Sequence, residues 1–168
     1  MRGTYLLISG LVLVVDQISK AAILARVSPE TGVPVIPGLF QLVQVKNRGI
    51  AFGLFADSSS PLTFGFMILL AAAALGLVGY LLFKSKPSSR LAGIGLALIL
   101  GGAFGNLLDR VARGHVVDFL DVYVGPYHWP AFNVADSAIV IGAGMLLLDL
   151  FVVPQARLGS EKAAHGNR

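Results

Sequence analysis

The chain has 168 residues, 55% of them hydrophobic and only 13% charged, where an average soluble domain carries about a quarter charged. With a mean hydropathy of +0.78 it reads as an integral membrane protein, and its length suits one domain, 1–168. It has no cysteine, which excludes disulfides, a thiol nucleophile and a thiolate metal site, and its net charge of +4 is dispersed around apolar segments, a mark of membrane orientation and not of a nucleic-acid partner.

Residues 4–25 are apolar enough to span a membrane, since a crossing takes roughly 20 helical residues. Arg2 ahead of them marks the cytoplasmic side. A cleaved signal peptide is the competing reading, but Asp16 and Lys20 interrupt the apolar stretch where a signal peptide is uncharged. These two residues lie four apart and share a helix face, so they are expected to pair, with Lys20 snorkelling to the outer interface. For Asp16 a structural and a functional role weigh equally.

Residues 26–60 change character. Pro29, Pro34, Pro37, Gly32, Gly38 and the serines at 58–60 interrupt any helix, which makes the segment extramembrane or interfacial. Within it, Leu39 to Lys46 has the composition of a short strand or two of a small sheet. Asn47-Arg48-Gly49-Ile50-Ala51-Phe52-Gly53 follows, a glycine-bearing stretch that spacing alone reads as a turn.

A second span covers 61–83, with Pro61 in its first turn. Lys84 to Arg90 holds three positive charges and no acid, the signature of a cytoplasmic loop. The third helix covers 91–113, and Gly93, Ala97, Gly101 and Gly105 recur every four residues along it, a ladder that lets another helix approach closely. The fourth covers 133–153, with Pro154 expected to end it and a polar, disordered cytoplasmic tail at 154–168. Seven of the thirteen lysines and arginines then fall in three short cytoplasmic segments, so both termini are inside and the two longer connections outside. The fold class is an all-α membrane protein: four transmembrane helices with a small extracytoplasmic β-sheet subdomain between helices 1 and 2.

Four of the nine acidic residues, Asp109, Asp118, Asp121 and Asp136, lie between Gly105 and Ser137. Acids in so hydrophobic a chain mark a functional site by default. Asp109 falls about 27 Å along the third helix and Asp136 about 26 Å up the fourth from Val153, both near the outer edge of a hydrocarbon layer ~30 Å thick. A turn at Gly114-His115 leaves Asp118 at a similar depth, whereas Asp149 is about 20 Å lower. Two carboxylates that close share a proton, so that one activates water while the other polarises a carbonyl; that is peptide hydrolysis without metal or cofactor. Structural readings compete. Asp136 with Asn133 resembles a helix-capping pair, Asp118 has Arg110 and Arg113 as possible ion-pair partners, Asp109 reads as orienting Arg110, and Asp121 as a solvated loop acid. A metal site built on His115, Asp118 and His128 lacks the spacing of known motifs, and Ser19 cannot face its neighbour Lys20 as a dyad. Tyr123, Tyr127, Trp129 and Phe132 suit an interfacial aromatic belt. A proton-coupled transporter with Asp16, Asp118 and Asp136 as a relay, and a non-catalytic scaffold built on the glycine ladder, are the readings from other classes.

Five motifs, taken in order, carry the argument further. Asp16-Gln17-Ile18-Ser19-Lys20, Asn47 to Gly53, Gly105-Asn106-Leu107-Leu108-Asp109-Arg110, Gly114-His115-Val116-Val117-Asp118-Phe119 and Phe132-Asn133-Val134-Ala135-Asp136-Ser137 together resemble the bacterial lipoprotein signal peptidases, signal peptidase II. Each motif alone is weak, and five in sequence are specific. The resemblance implies an aspartic protease of the bacterial cytoplasmic (inner) membrane that cuts prolipoproteins just before a diacylglyceryl-modified cysteine, with its active site near the outer leaflet surface. It implies Asp118 and Asp136 as the catalytic aspartates and Asp16, Asn47, Gly49, Asn106, Asp109, Arg110, Asn133 and Ala135 as supporting residues. Asn47 and Arg110 are then expected to hold the substrate backbone, and Asn106 and Asn133 to orient the dyad. It also implies a small sheet on the membrane at Leu39 to Lys46 and a mobile loop over the site at Ala56 to Ser60. No metal or cofactor is expected, and the partners are the prolipoprotein and membrane lipid, with the enzyme a monomer. Arg48 adds a positive charge beside this site.

Overall fold

The computed structural model describes residues 2–49, 60–84, 87 and 89–165; side chains are described up to Phe151, Pro61 excepted. The loop expected over the site at Ala56 to Ser60 lies outside the described residues except for Ser60, as do Ile50 to Gly53 of the turn motif.

Four helices, α1 (Arg2–Arg26), α2 (Pro61–Phe83), α3 (Arg90–Arg113) and α4 (Val134–His165), are each long and apolar enough over at least part of their length to cross a membrane. Their apolar residues point outward as well as inward: Leu7 is 72% and Leu62 84% exposed, as suits helices whose outer solvent is lipid. In α4 the membrane-crossing stretch is Val134–Phe151. The expectation that Pro154 ends this helix is corrected, because the helix continues through it to His165. A proline removes one intrahelical N–H and kinks a helix, but it does not prevent helical turns on both sides.

α3 is the hub, packing against α4, α1 and α2. Its glycine ladder is the reason it can approach α1 so closely. A methyl group at Gly101 would stand 2.5 Å from the Ser9 carbonyl oxygen, and one at Gly105 would stand 2.6 Å from an Asp16 carboxylate oxygen. Ser9 Oγ donates to the Ala97 carbonyl at 2.8 Å across the same seam. A second glycine face, absent from the ladder, serves α4: a methyl at Gly95 would meet the Gly142 carbonyl at 2.8 Å, and Gly102 lies against the Ala135 carbonyl. Close backbone approach on two sides is what makes small residues effective in lipid, where no hydrophobic force drives helices together.

The sheet is built from both of the longer connections, α1–α2 and α3–α4, not from the first alone. Strands β1 (Val33–Ile36), β2 (Phe40–Asn47), β3 (Val116–Val124) and β4 (Tyr127–His128) pair in the order β1-β2-β3-β4, each antiparallel to its neighbour. β1 contains Pro34, a residue that reads as a breaker. It is tolerated because β1 is an edge strand, where one missing ladder donor costs little. At the end of α3, Gly114 adopts φ 74°, the left-handed conformation that closes a helix, and β3 begins two residues later. Ile23 of α1 and Val27, just past its end, pack with Phe119 of β3, fastening the sheet to the helical bundle.

Candidate active site

Asp118 sits on β3, 2% exposed, and its carboxylate is held from two elements. Asn47, a diagonal neighbour at the end of β2, donates from Nδ2 to Asp118 Oδ2 at 2.9 Å, and Asn133 donates from Nδ2 to Oδ1 at 2.7 Å. Asn47 Oδ1 in turn accepts the Gly49 backbone N–H at 2.9 Å, a local turn that fixes the Asn47 amide. Burial dominates the electrostatics and pushes the Asp118 carboxyl up to about 6, with the Asn47 and Asn133 donors and Lys20 opposing it and the like charge of Asp136 adding to it.

Asp136 occupies the first turn of α4 and caps it reciprocally with Asn133. The Asp136 backbone N–H donates to Asn133 Oδ1 at 2.9 Å, while Asp136 Oδ2 accepts the Asn133 backbone N–H at 3.2 Å. Asp136 Oδ1 accepts from Asn106 Nδ2 at 2.7 Å. Capping and a role at the site are therefore compatible in one side chain. Asn133 binds Asp118 through its amide and Asp136 through its main chain and Oδ1, which joins the two acids in one hydrogen-bonded unit.

Below this unit lies a fully buried charge cluster. Lys20 Nζ contacts Asp16 Oδ2 at 2.8 Å and Asp109 Oδ2 at 2.9 Å, all three side chains being inaccessible, and donates to Asn106 Oδ1 at 3.1 Å. Asp109 also pairs with Arg113, and Asp16 Oδ1 accepts the Ala135 backbone N–H at 3.0 Å, satisfying an orphan donor at the start of α4. Gln17 Nε2 donates to both acids, at 3.1 Å to Asp16 and 3.0 Å to Asp109. Asp109 Oδ2 further accepts the Val117 backbone N–H at 3.2 Å, anchoring the start of β3.

Several expectations are corrected here. Lys20 does not snorkel, because two carboxylates and an amide oxygen inside the bundle satisfy its three donors. Asp109 pairs with Lys20 and Arg113, not with its neighbour Arg110; residues i and i+1 on a helix point apart. Arg110 donates instead to the Gly49 carbonyl at 3.0 Å and the Asn106 carbonyl at 3.3 Å, tying β2's exit to α3. Asp118 forms no ion pair with Arg110 or Arg113. Asp121 is not a solvated acid: it is 6% exposed and accepts from Gln41 Nε2 at 2.7 Å and pairs with His128 at 2.8 Å, with His128 stacked on Tyr123. Sequence reasoning left Lys20 and Gln17 out of the site; the signal for Lys20 was a lysine held in register with Asp16 on an apolar helix.

Asn47, Asn106, Arg110, Asp118, Asp136 and Trp129 line one cavity of about 680 Å³, its other walls mostly apolar. Asp16, Asp109, Asn133 and Ala135 do not line it; they stand behind the lining residues. Gly49 contributes its carbonyl to Arg110. Asp149 is apart from all of these, bonded to Ser89 at the start of α3.

Four helices able to cross a membrane bring a buried aspartate, Asp118, and a half-buried one, Asp136, to one mostly apolar cavity, an arrangement suited to a membrane aspartic peptidase. A family model described as Signal peptidase (SPase) II matches residues 8–152. The chain is 46% identical over 153 residues to the lipoprotein signal peptidase of Geobacter sulfurreducens, covering 89% of this chain and 94% of that one. It is 46% identical over 143 residues to the lipoprotein signal peptidase of Syntrophotalea carbinolica, covering 85% and 88%. A solved structure described as a bacterial membrane enzyme, determined by the in meso method at 2.3 Å resolution, superposes with a TM-score of 0.79 at 30% identity, covering 89% of this chain and 88% of that one. The chain belongs to the bacterial lipoprotein signal peptidases, signal peptidase II. It is an aspartic endopeptidase of the inner membrane, a multi-pass protein that removes signal peptides from prolipoproteins.

Proposed function

We propose that Asp118 and Asp136 are the catalytic pair and that they cut the prolipoprotein just before a diacylglyceryl-modified cysteine. The observation that carries this reading is the shared cavity, in which two carboxylates joined through Asn133 face a mostly apolar space. Each of the four carboxylate oxygens already accepts one N–H, from Asn47, Asn133, Asn106 or the Asn133 main chain, which fixes both planes and leaves lone pairs for the reaction. The like charge of Asp136 disfavours ionising both acids at once, and the raised Asp118 pKa of about 6 suits proton exchange near neutrality.

In the reaction the ionised carboxylate takes a proton from water, whose oxygen bonds to the scissile carbonyl carbon, while the protonated carboxyl donates to the carbonyl oxygen. Collapse of the tetrahedral intermediate breaks the C–N bond, and the leaving cysteine amine takes a proton from the pair. Asp16, Asp109, Asn106, Asn133 and Ala135 act as supports. Asn47 and Arg110, which line the cavity, are available to the substrate backbone, and Gly49 is held by Arg110. Acyl chains keep a lipidated cysteine at the outer leaflet surface, which suits a site between the outer sheet and the outer ends of α3 and α4, with both termini cytoplasmic and the enzyme acting as a monomer.

The test is cleavage of a diacylglyceryl-modified lipobox peptide and its unlipidated control by purified protein. Asp118→Asn and Asp136→Asn are each expected to abolish cleavage while inserting normally, and chelators to have no effect. Substantial turnover by either single variant would sink the pair, and chelator sensitivity would reopen a metal site.

A further inference from the structure

We infer that Lys20 is a positioning residue for the reaction: its buried ammonium sets the orientation of the Asn106 amide and through it aims Asp136. This rests on the reading of Asp118 and Asp136 as the catalytic pair.

The argument is one of donors and acceptors. An ammonium only donates, so whatever atom of Asn106 faces Lys20 Nζ at 3.1 Å must be the amide oxygen. The amide nitrogen is then turned the other way, where it donates to Asp136 Oδ1 at 2.7 Å. A flipped amide would set an N–H against the ammonium and an oxygen against a carboxylate, two repulsive contacts in place of two attractive ones. Asn106 Oδ1 also accepts from Asn133 Nδ2 at 3.2 Å, the same nitrogen that donates to Asp118 Oδ1 at 2.7 Å. The order runs from Lys20 to Asn106, and from there to both acids. Asp136 favours the same orientation from the other side while it is ionised, but a protonated carboxyl can offer its O–H to either end of the amide, whereas the Lys20 ammonium can face only the oxygen in every protonation state of the pair.

Lys20 is itself held on every side by fixed partners. It has no exposed surface, and Asp16 from its own helix and Asp109 from α3 grip its other two donors. Asp16, Asp109, Lys20 and Arg113 together carry no net charge. A purely structural account therefore assigns Lys20 only the neutralisation of two buried acids, and predicts that any change preserving the balance is harmless to catalysis.

The experiment separates the two accounts. Lys20→Met removes the ammonium, and Lys20→Met combined with Asp109→Asn restores charge balance. Thermal stability in detergent and kcat and KM on the lipidated peptide are measured for each. The expected result is that the balanced pair regains most of the stability, keeps KM within about threefold of the parent, and still has kcat reduced at least about tenfold. A cycle with Asn106→Ala supplies a second readout. Because Lys20 acts through Asn106, Lys20→Met should cost less than about twofold in kcat once Asn106 is alanine. Should the methionine variants not insert, Lys20→Gln, which drops the charge, takes their place in the same cycle. Recovery of kcat by charge balance, or independent multiplication of the two effects, overturns the inference. Failure of the catalytic pair would look different: Asp118→Asn would then retain activity with Lys20 intact.

Discussion

Asp118→Asn should make the protein more stable at neutral pH even as it removes activity, and the gain should depend on pH in a specified direction. Burial raises the Asp118 pKa from 3.8 to about 6 in the folded protein. A raised carboxyl pKa means that the folded state binds more protons than the unfolded state between those values, so its contribution to stability is complete below pH ~4 and lost as pH rises through ~6. At about 1.4 kcal/mol per pH unit, the shift amounts to about 3 kcal/mol of native stability forfeited by ionising Asp118 where it sits. An asparagine does not titrate. It also cannot satisfy both neighbours, since Asn47 and Asn133 each point an N–H at position 118 and only one amide oxygen replaces two carboxylate oxygens, an offset of about 1 kcal/mol at any pH. The variant should therefore be slightly less stable than the parent at pH 4 and about 2 kcal/mol more stable at pH 8. Unfolding in mixed micelles by dodecyl sulfate titration at the two pH values measures this directly. A stability difference that is the same at pH 4 and pH 8 refutes the claim that burial of this carboxyl dominates its environment.

Asn133 combines two functions that substitution can separate. Asn133→Ala should lose the cap of α4, about 1 kcal/mol, and a charge-assisted bond to Asp118, about 1.5–3 kcal/mol, whereas Asn133→Ser should recover the cap alone and leave kcat as low as in the alanine variant; equal rescue of Tm and kcat by serine would contradict this. On the α3–α4 seam, Gly142→Ala should destabilise by about 1–3 kcal/mol, because its new methyl would stand 2.5 Å from the Gly95 carbonyl oxygen and 2.8 Å from Ile99, while Gly144→Ala, with nothing within 4 Å, should be neutral or slightly stabilising by the same unfolding measurement.

Much of the site is visible in the chain because its chemistry is local. Asn133 and Asp136 stand at the spacing of a cap, Asp16 and Lys20 at the spacing of one helix face, and Gly114 where a helix must end. What spacing cannot supply is which distant group answers each of them. Asp109 could be matched to its neighbour Arg110 on paper, yet helical geometry turns the two apart and brings Lys20, on another helix, to Asp109. Asp121 resembled a loop acid because neither Gln41 nor His128 is marked as its partner until β2, β3 and β4 align. Lys20 was expected at the interface because a lone lysine in lipid snorkels; three acceptors converging from two helices reverse that balance.

The amino-acid sequence by itself determined that four segments are long and apolar enough to cross the membrane, that α3 must pack closely on a neighbour, and which acids were candidates for one site. Hydropathy, small-residue periodicity and the rise per residue are properties of single segments, so they can be read without knowing the fold. Only the tertiary structure decided that both longer connections build one sheet, that Asn133 joins the two acids, and that a buried lysine lies beneath them. Those are statements about groups far apart in the chain, and the direction in which an amide or an ammonium points depends on every partner at once.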